Sequence, residues 1–367
     1  MQPCALVVCE LNPFHEGHAY LFKKIREKLG EDCRIICLMS GNTVQRGEFA
    51  IFEKHERASA AIDGGADLVL ELPHPFSASG AQIFASKAVE IADSLGVVDY
   101  LAFGSECADM DKLSWFAEKL SCDEYNTALK NAVDISKGVG YPSLRAKVFE
   151  ESYKMKLPSA PNDTLGIEYL SALKKQSSKI KPICIARKDC EGASAVRERL
   201  RSEGADGISN SEEAYSLMLS NIRLQSDEEL DAIADMPVGL GARMKKAAMS
   251  ATGEESYFSF LPTKIYTRAR LRRLTLYASL GLKSDDLILP ASYTFVLSSN
   301  AAGRELLGLI RRKGRIKAIT SCSSVKALGE DAKRLLDLSL RCDSLYSLTF
   351  KEKKEAAFSL KTKPIMM

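Results

Sequence analysis

A chain of 367 residues, 46% hydrophobic and 27% charged, is long enough for two domains, or for one large domain with an appendage, and has an ordinary globular composition. Its formal net charge of +3 excludes a whole-chain electrostatic argument for nucleic-acid binding, so any basic surface must be local. The ten cysteines are scattered without a Cys-x-x-Cys pair, no apolar stretch is long enough to span a bilayer, and no basic segment leads into an apolar core at the N-terminus; we therefore expect a cytoplasmic protein without a membrane span.

Ala5 to Cys9 is a short apolar run that predicts a buried strand, and the segment after it becomes amphipathic up to Leu29. The turn between them reads Asn12-Pro13-Phe14-His15-Glu16-Gly17-His18. A glycine between two histidines at a strand-to-helix turn sets backbone N–H groups and two imidazoles beside the C-terminal edge of a sheet, which suits an anion. Two histidines in such a turn could also be plain loop and cap residues. Phosphate is favoured over metal, because no cysteine stands at a compatible spacing and the glutamate between the histidines is not in a zincin arrangement.

Arg34 to Met39 predicts a second strand, and the polar loop Ser40 to Glu48 lies where open parallel sheets carry their ligand loops. Arg46 in that loop offers a fork of donors suited to phosphate or carboxylate. A helix over Phe52 to Gly64, a third strand over Asp67 to Leu72, a helix over Ala78 to Leu95 and a fourth strand over Tyr100 to Phe103 follow. This alternation predicts a parallel sheet covered on both faces. Gly104 at the end of the fourth strand allows close backbone approach to a ligand, or simply a turn.

The reading is mainly helical from Asp109 to Lys156, with Trp115 packed in a core. Asn162 and Asp163 precede an apolar run over Leu165 to Leu173, so either one of them caps a helix or Asn162 reads a ligand by donor and acceptor together. A fifth strand over Ile183 to Ala186 leads to Arg187, Lys188 and a helix beginning near Ser194 and Arg197, a second phosphate-binding edge opposite the first.

Beyond residue 210 the alternation gives way to helical spacing. Between residues 243 and 283 there are nine Lys or Arg against two acidic residues. Lys245, Lys246, Arg268, Arg270 and Arg273 belong to that excess, with Tyr266 and Tyr277 nearby, and suit a phosphate backbone unless they form an ordinary solvated face. No nucleophile motif stands out. What the chain offers is phosphate handling at the ends of parallel strands, by His15, His18, Arg46, Arg187 and Arg197, a set suited to attack on the α-phosphorus of ATP with pyrophosphate leaving. Mg²⁺ bridging the phosphates is expected, and the basic second region suggests that the activated product is spent on RNA.

The segment Asn12 to His18 resembles the His-x-Gly-His signature of the nucleotidyltransferase superfamily. Glu10 to His18, with Met39-Ser40-Gly41-Asn42 and Val44-Gln45-Arg46-Gly47-Glu48, more closely resembles the tRNA(Met) cytidine acetate ligase family. Phe103-Gly104-Ser105-Glu106, Leu165 to Tyr169, Ser194 to Arg197 and Tyr266 to Arg270 continue the likeness in order. The resemblance implies an α/β fold, a nucleotidyltransferase-like parallel sheet with helices on both faces over residues 1–210, followed by a mainly helical, basic tRNA-binding region over 211–367. It implies activation of acetate by ATP as acetyl-adenylate, and acetylation of N4 of the wobble cytidine of elongator tRNA(Met), with no obligate protein partner.

By the same resemblance Val7, Val8, Cys9, Glu10, Asn12, Phe14, Gly17 and Tyr20, with Gly104, Asn162, Arg187 and Lys188, form the ATP site. His15 and His18 stabilise the leaving pyrophosphate, Arg46 faces phosphate or carboxylate, and Ser194 and Arg197 form a second phosphate motif. Lys245, Lys246, Arg268, Arg270 and Arg273 hold tRNA. The chain departs from the family pattern at Leu11 and Glu16, in a short loop between Arg187 and Ser194, and at 239–243 and 262–265. A nucleotidyltransferase acting on another small acceptor, or a non-catalytic RNA-binding protein, are the competing readings.

Overall fold

A computed structural model of the chain describes residues 2–135, 140–262 and 264–367. The first half alternates as expected: β1 (Cys4–Cys9), α1 (Glu16–Leu29), β2 (Arg34–Ser40), α2 (Lys54–Asp63), β3 (Leu68–Leu72), α3 (Ala81–Leu95) and β4 (Tyr100–Ser105). The helical stretch predicted from 109 to 156 is three helices, α4 (Met110–Leu120), α5 (Asp123–Ile135) and α6 (Tyr141–Tyr153), with residues 136–139 outside the described residues. Then come α7 (Pro161–Lys175), β5 (Lys181–Ala186) and α8 (Ala193–Ser202).

The helices α9 (Ser211–Leu224), α10 (Asp227–Asp231), α11 (Leu240–Ser250), α12 (Glu254–Ser259), α13 (Arg268–Leu280) and α14 (Ser284–Ile288) form the helical region; Thr263 lies outside the described residues. The chain then continues through β6 (Tyr293–Ser299), α15 (Ala301–Lys313), β7 (Lys317–Ile319), α16 (Glu330–Tyr346), α17 (Phe358–Lys361) and β8 (Ile365–Met366).

The sheet runs β5-β4-β1-β2-β3-β6-β7, with β8 beside β6. All pairings from β5 to β3 are parallel. These strands read as apolar runs because they are covered on both faces; β2 and β3 are buried almost throughout. The order reverses at β1, where successive strands are laid down first on one side (β2, β3) and then on the other (β4, β5). Such a reversal opens a crevice beyond the strand C-termini.

The sheet does not stop at residue 210, where sequence reading placed the end of the first domain. β6 joins β3 antiparallel, with Leu68 opposite Ser299 and Val69 opposite Ser298, and brings β7 and β8 with it. The sequence of β6 reads Tyr-Thr-Phe-Val-Leu-Ser-Ser and is wholly buried, so it is a sheet strand with no polar face. Tyr293, Phe295, Val296, Leu306 and Ile310 accordingly pack in the same core as β1 to β5. A second core is built by α9 to α14, and α16 spans both, with Leu335 in the first and Leu338, Cys342 and Tyr346 in the second. Among the described residues no helix is long and apolar enough to cross a membrane, and all ten cysteines are free.

Candidate functional site

A cleft of about 600 Å³ opens at the C-terminal ends of β1, β4 and β5. It is where the strand order reverses, and the first residues of α1, α3, α7 and α8 line it. Helix N-termini leave N–H groups without intrahelical partners and carry partial positive charge. At α7 those groups are taken, since the Glu106 carboxylate accepts from Asp163 N–H at 2.9 Å and from Asn162 N–H at 3.4 Å. The ends of α3 and α8 begin at Gly80 and Gly192, which supply no side-chain cap, so their N–H groups remain available to an anion.

The two histidines form a reciprocal cap on α1. Gly17 N–H donates to His15 Nδ1 at 3.0 Å, and His15 N–H donates to His18 Nδ1 at 3.2 Å. Because each Nδ1 accepts from the backbone, a neutral ring carries its proton on Nε2. Burial pushes the pKa of His18 down to about 3, assisted by His15 and Arg187. Burial, then Arg187, also lowers that of His15. Two neutral imidazoles 4.0 Å apart thus offer Nε2–H donors without the cost of burying two cations. Gly17 is required here, since a β carbon would come within 2.8 Å of the His15 ring.

The remaining predicted phosphate ligands converge on the same cleft. Arg197 donates to the Asn12 carbonyl at 2.7 Å and to Ser194 Oγ at 3.0 Å, which ties α8 to the loop after β1. Arg187 and Arg46 are exposed on the cleft wall, and neither has an ion-pair partner among the described residues. Lys188 pairs with Glu16 at 2.9 Å across the mouth, so the unusual Glu16 has a charge partner in the short loop before Ser194. Glu10 accepts from Gln45 N–H at 2.7 Å; burial raises its pKa, against the pull of that hydrogen bond, Arg197 and Arg46. Leu11, buried at the end of β1, adopts a left-handed φ of 47°, the strained backbone that a ligand loop retains when its surroundings over-determine it.

Val7, Val8, Cys9, Gly17, Tyr20 and Gly104 all line the cleft. Three predicted cofactor ligands do other work. Phe14 turns away, stacking on His18 at 5.6 Å and filling the space over Gly64, where a β carbon would collide with its ring. Asn12 spends its side-chain oxygen on Ile51 N–H at 2.7 Å. Asn162 lies in the cleft wall but gives its amide to Glu106. Asp163 does not cap α7, whose N-cap is Ala160; it accepts from Ser105 Oγ at 2.6 Å and Glu106 N–H at 2.9 Å, and so clamps the turn after β4.

The basic residues of α13 are paired inside the chain. Arg268 meets Glu255 at 2.6 Å, Arg270 meets Asp235 at 2.8 Å, and Arg273 Nη1 donates to the Gln45 carbonyl at 3.3 Å. Lys245 faces Asp227 at 3.4 Å, whereas Lys246 and Arg243 are exposed on α11. A helical excess of arginine therefore gives less free positive surface than its count suggests, because the acids that neutralise it come from α12 and from loops before it.

Sequence reasoning missed Arg57. It is 2% exposed and donates to Phe52 O (2.9 Å), Glu10 O (2.5 Å), Ser40 O (3.1 Å) and Gly41 O, stapling both ligand loops to α2. The available signal was an arginine on the apolar stripe of a helix, with Ala58, Ala61 and Ile62.

Among the described residues no three His, Cys, Asp or Glu side chains are grouped as metal ligands. The donor set does not make a cage for Mg²⁺, an ion commonly held through substrate phosphates.

The chain matches the family described as HIGH Nucleotidyl Transferase over residues 1–202 and 193–360. The tRNA(Met) cytidine acetate ligase of Acetivibrio thermocellus is 30% identical over 94% of both chains. That of Caldanaerobacter subterraneus is 32% identical over 94% of this chain and 95% of its own. The crystal structure of Thermotoga maritima TmcAL bound with alpha-thio ATP superimposes with a TM-score of 0.89 at 28% identity, covering 99% of each chain. The same protein without ligand gives 0.90 at 27% identity, covering 100% of this chain and 99% of its own.

Proposed function

The chain belongs to the tRNA(Met) cytidine acetate ligase family of HIGH nucleotidyltransferases, and from that premise we propose that it activates acetate with ATP and acetylates N4 of the wobble cytidine of elongator tRNA(Met). The observation that carries this reading is the reciprocal His15–His18 cap, with its two Nε2–H donors, set in a cleft where the ends of α3 and α8 also offer N–H groups. An acetate oxygen attacks the α-phosphorus of ATP, the bond to the bridging oxygen breaks, and pyrophosphate leaves. The imidazole donors and Arg187 neutralise charge growing on the leaving group, while Arg197 and Ser194 face it from α8. The cytidine N4 amine then attacks the acetyl carbonyl and loses a proton, and AMP departs.

A nucleotidyltransferase acting on another small acceptor is the second reading. The ion pairing of Arg268 and Arg270 inside the chain favours it, because it removes free positive charge from α13.

The test is incubation with ATP, Mg²⁺, labelled acetate and total tRNA, following pyrophosphate and N4-acetylcytidine together. His18→Asn keeps an acceptor for His15 N–H and removes the Nε2–H donor. We expect it to lower kcat/KM by roughly a hundredfold or more, the scale of losing one preorganised donor. Pyrophosphate release without acetylated RNA would move the assignment to the second reading.

A further inference from the structure

Arg46 reaches the cleft from the tip of a hairpin, and the nucleotide-binding half of the chain holds only one side of that hairpin. Val44 N–H donates to Glu48 O and Gly47 N–H to Val44 O, both at 2.9 Å, closing the turn. Its inner side rests on Glu10 through Gln45 N–H, and Gln45 Nε2 donates to Ser79 O at 3.2 Å.

Its outer side rests on α13. Gly47 has a φ of +80°, and a β carbon there would stand 2.5 Å from Arg273 N, so the α13 backbone occupies the space that any other residue would need. Arg272 bridges Glu48 of the hairpin and Glu254 of α12, the latter at 2.7 Å. Arg273 donates to the carbonyl of Gln45, the residue before Arg46.

We infer that Arg272 and Arg273 are positioning residues for the nucleotide cleft, fixing the Ser40–Ala50 hairpin so that Arg46 projects onto the phosphates. The inference rests on the reading of the cleft as an ATP site. Arg46 itself has no hydrogen-bond or ion-pair partner among the described residues, so its place depends on the backbone that carries it. A side chain that must meet a phosphate is effective only when its support is rigid. This assignment takes Arg273 out of the set of tRNA contacts: its guanidinium is spent on a carbonyl at the cleft edge. It also makes α13 a mechanical link, since the helix belongs to the second core and its N-terminal arginines grip the first.

The experiment uses the full chain, titrated with ATP and Mg²⁺ in the absence of tRNA, and separately with tRNA alone. Arg273→Gln is expected to weaken ATP binding about tenfold, the scale of a lost charge-assisted hydrogen bond, and to leave tRNA affinity within roughly threefold. Arg273→Lys, which keeps a charged donor, should recover most of the ATP affinity. Gly47→Ala perturbs the same contact from the hairpin side and should reproduce the loss without touching either guanidinium. Normal ATP affinity in Arg273→Gln with weakened tRNA binding would overturn the inference in favour of an RNA contact, as would an unaffected Gly47→Ala. Absence of ATP binding by the unaltered chain would instead overturn the ATP reading on which the inference stands.

Discussion

Single side chains here do their work by protonation state and by hydrogen-bond direction. His18 and His74 are both held far below the ordinary imidazole pKa, at about 3, chiefly by burial. His74 is 4% exposed; its Nδ1 lies 3.1 Å from Thr43 Oγ1, and its Nε2 has no partner. A histidine whose folded pKa is depressed stays neutral in the native state while the unfolded chain takes up a proton below about 6.5. Its contribution is therefore fully present above that pH and is lost as pH falls towards 3, at about 1.4 kcal/mol per pH unit for each such group. We expect His74→Gln to flatten the acid limb of urea-unfolding stability measured from pH ~7 to ~5; an unchanged slope would show that His74 is protonated in the native state. Arg57 makes the complementary point, because four carbonyls surround its buried guanidinium, and burial pushes its pKa down without removing the charge that all four accept from.

At the scale of elements, the cleft is held open by short clamps between strand ends and helix starts. The clamp after β4 is reciprocal: Asp163 accepts from Ser105 and Glu106 N–H, while Glu106 accepts from Asp163 N–H and Asn162. Removing one side leaves buried donors unsatisfied, so Asp163→Ala should destabilise the fold by about 2–4 kcal/mol in urea unfolding. A change below about 0.5 kcal/mol would mean that water replaces the carboxylate, as at ordinary surface sites. The existence of α7 was legible from the apolar spacing over Leu165 to Leu173, but the helix starts at Pro161 with Ala160 as its N-cap, ahead of the cap expected at Asn162 or Asp163. What Asp163 does was not legible, because its partners lie on another strand and no local pattern selects them over a cap. The arginines of α13 teach the same lesson. Their charge and helical placement are written locally, but Glu48, Asp235, Glu254 and Glu255 reach them only once the helices pack.

The whole molecule is one sheet with two cores, and the second half of the chain closes the first. Without residues beyond 210, β3 would lose its antiparallel partner β6 and the buried Lys54–Glu71 pair, 2.8 Å apart, would lose the Phe295 ring that lies 5.5 Å from Lys54. An unpaired strand edge and an uncovered buried ion pair are both costly. A 1–210 fragment is therefore expected to lack a cooperative urea transition by circular dichroism. A sharp two-state transition would show that the nucleotide-binding half folds alone and that β6 merely docks on it. The same closure places α13 against the hairpin of Arg46, so the second half braces a cleft wall that the first half lines.

The sequence by itself determined the parallel β/α alternation up to β5 and the histidine–glycine–histidine turn at the sheet edge. Those features are local: strand and helix periods are set by neighbouring residues, and a turn motif carries its own backbone requirements. Only the tertiary structure decided that β6 returns to the first sheet, that Phe14 packs away from the cleft while Asn12 and Asp163 brace its loops by hydrogen bonds, and that the α13 arginines are paired. Each of these depends on which distant group comes within about 3 Å of a side chain, a matter of packing and charge pairing that residue spacing along the chain does not encode.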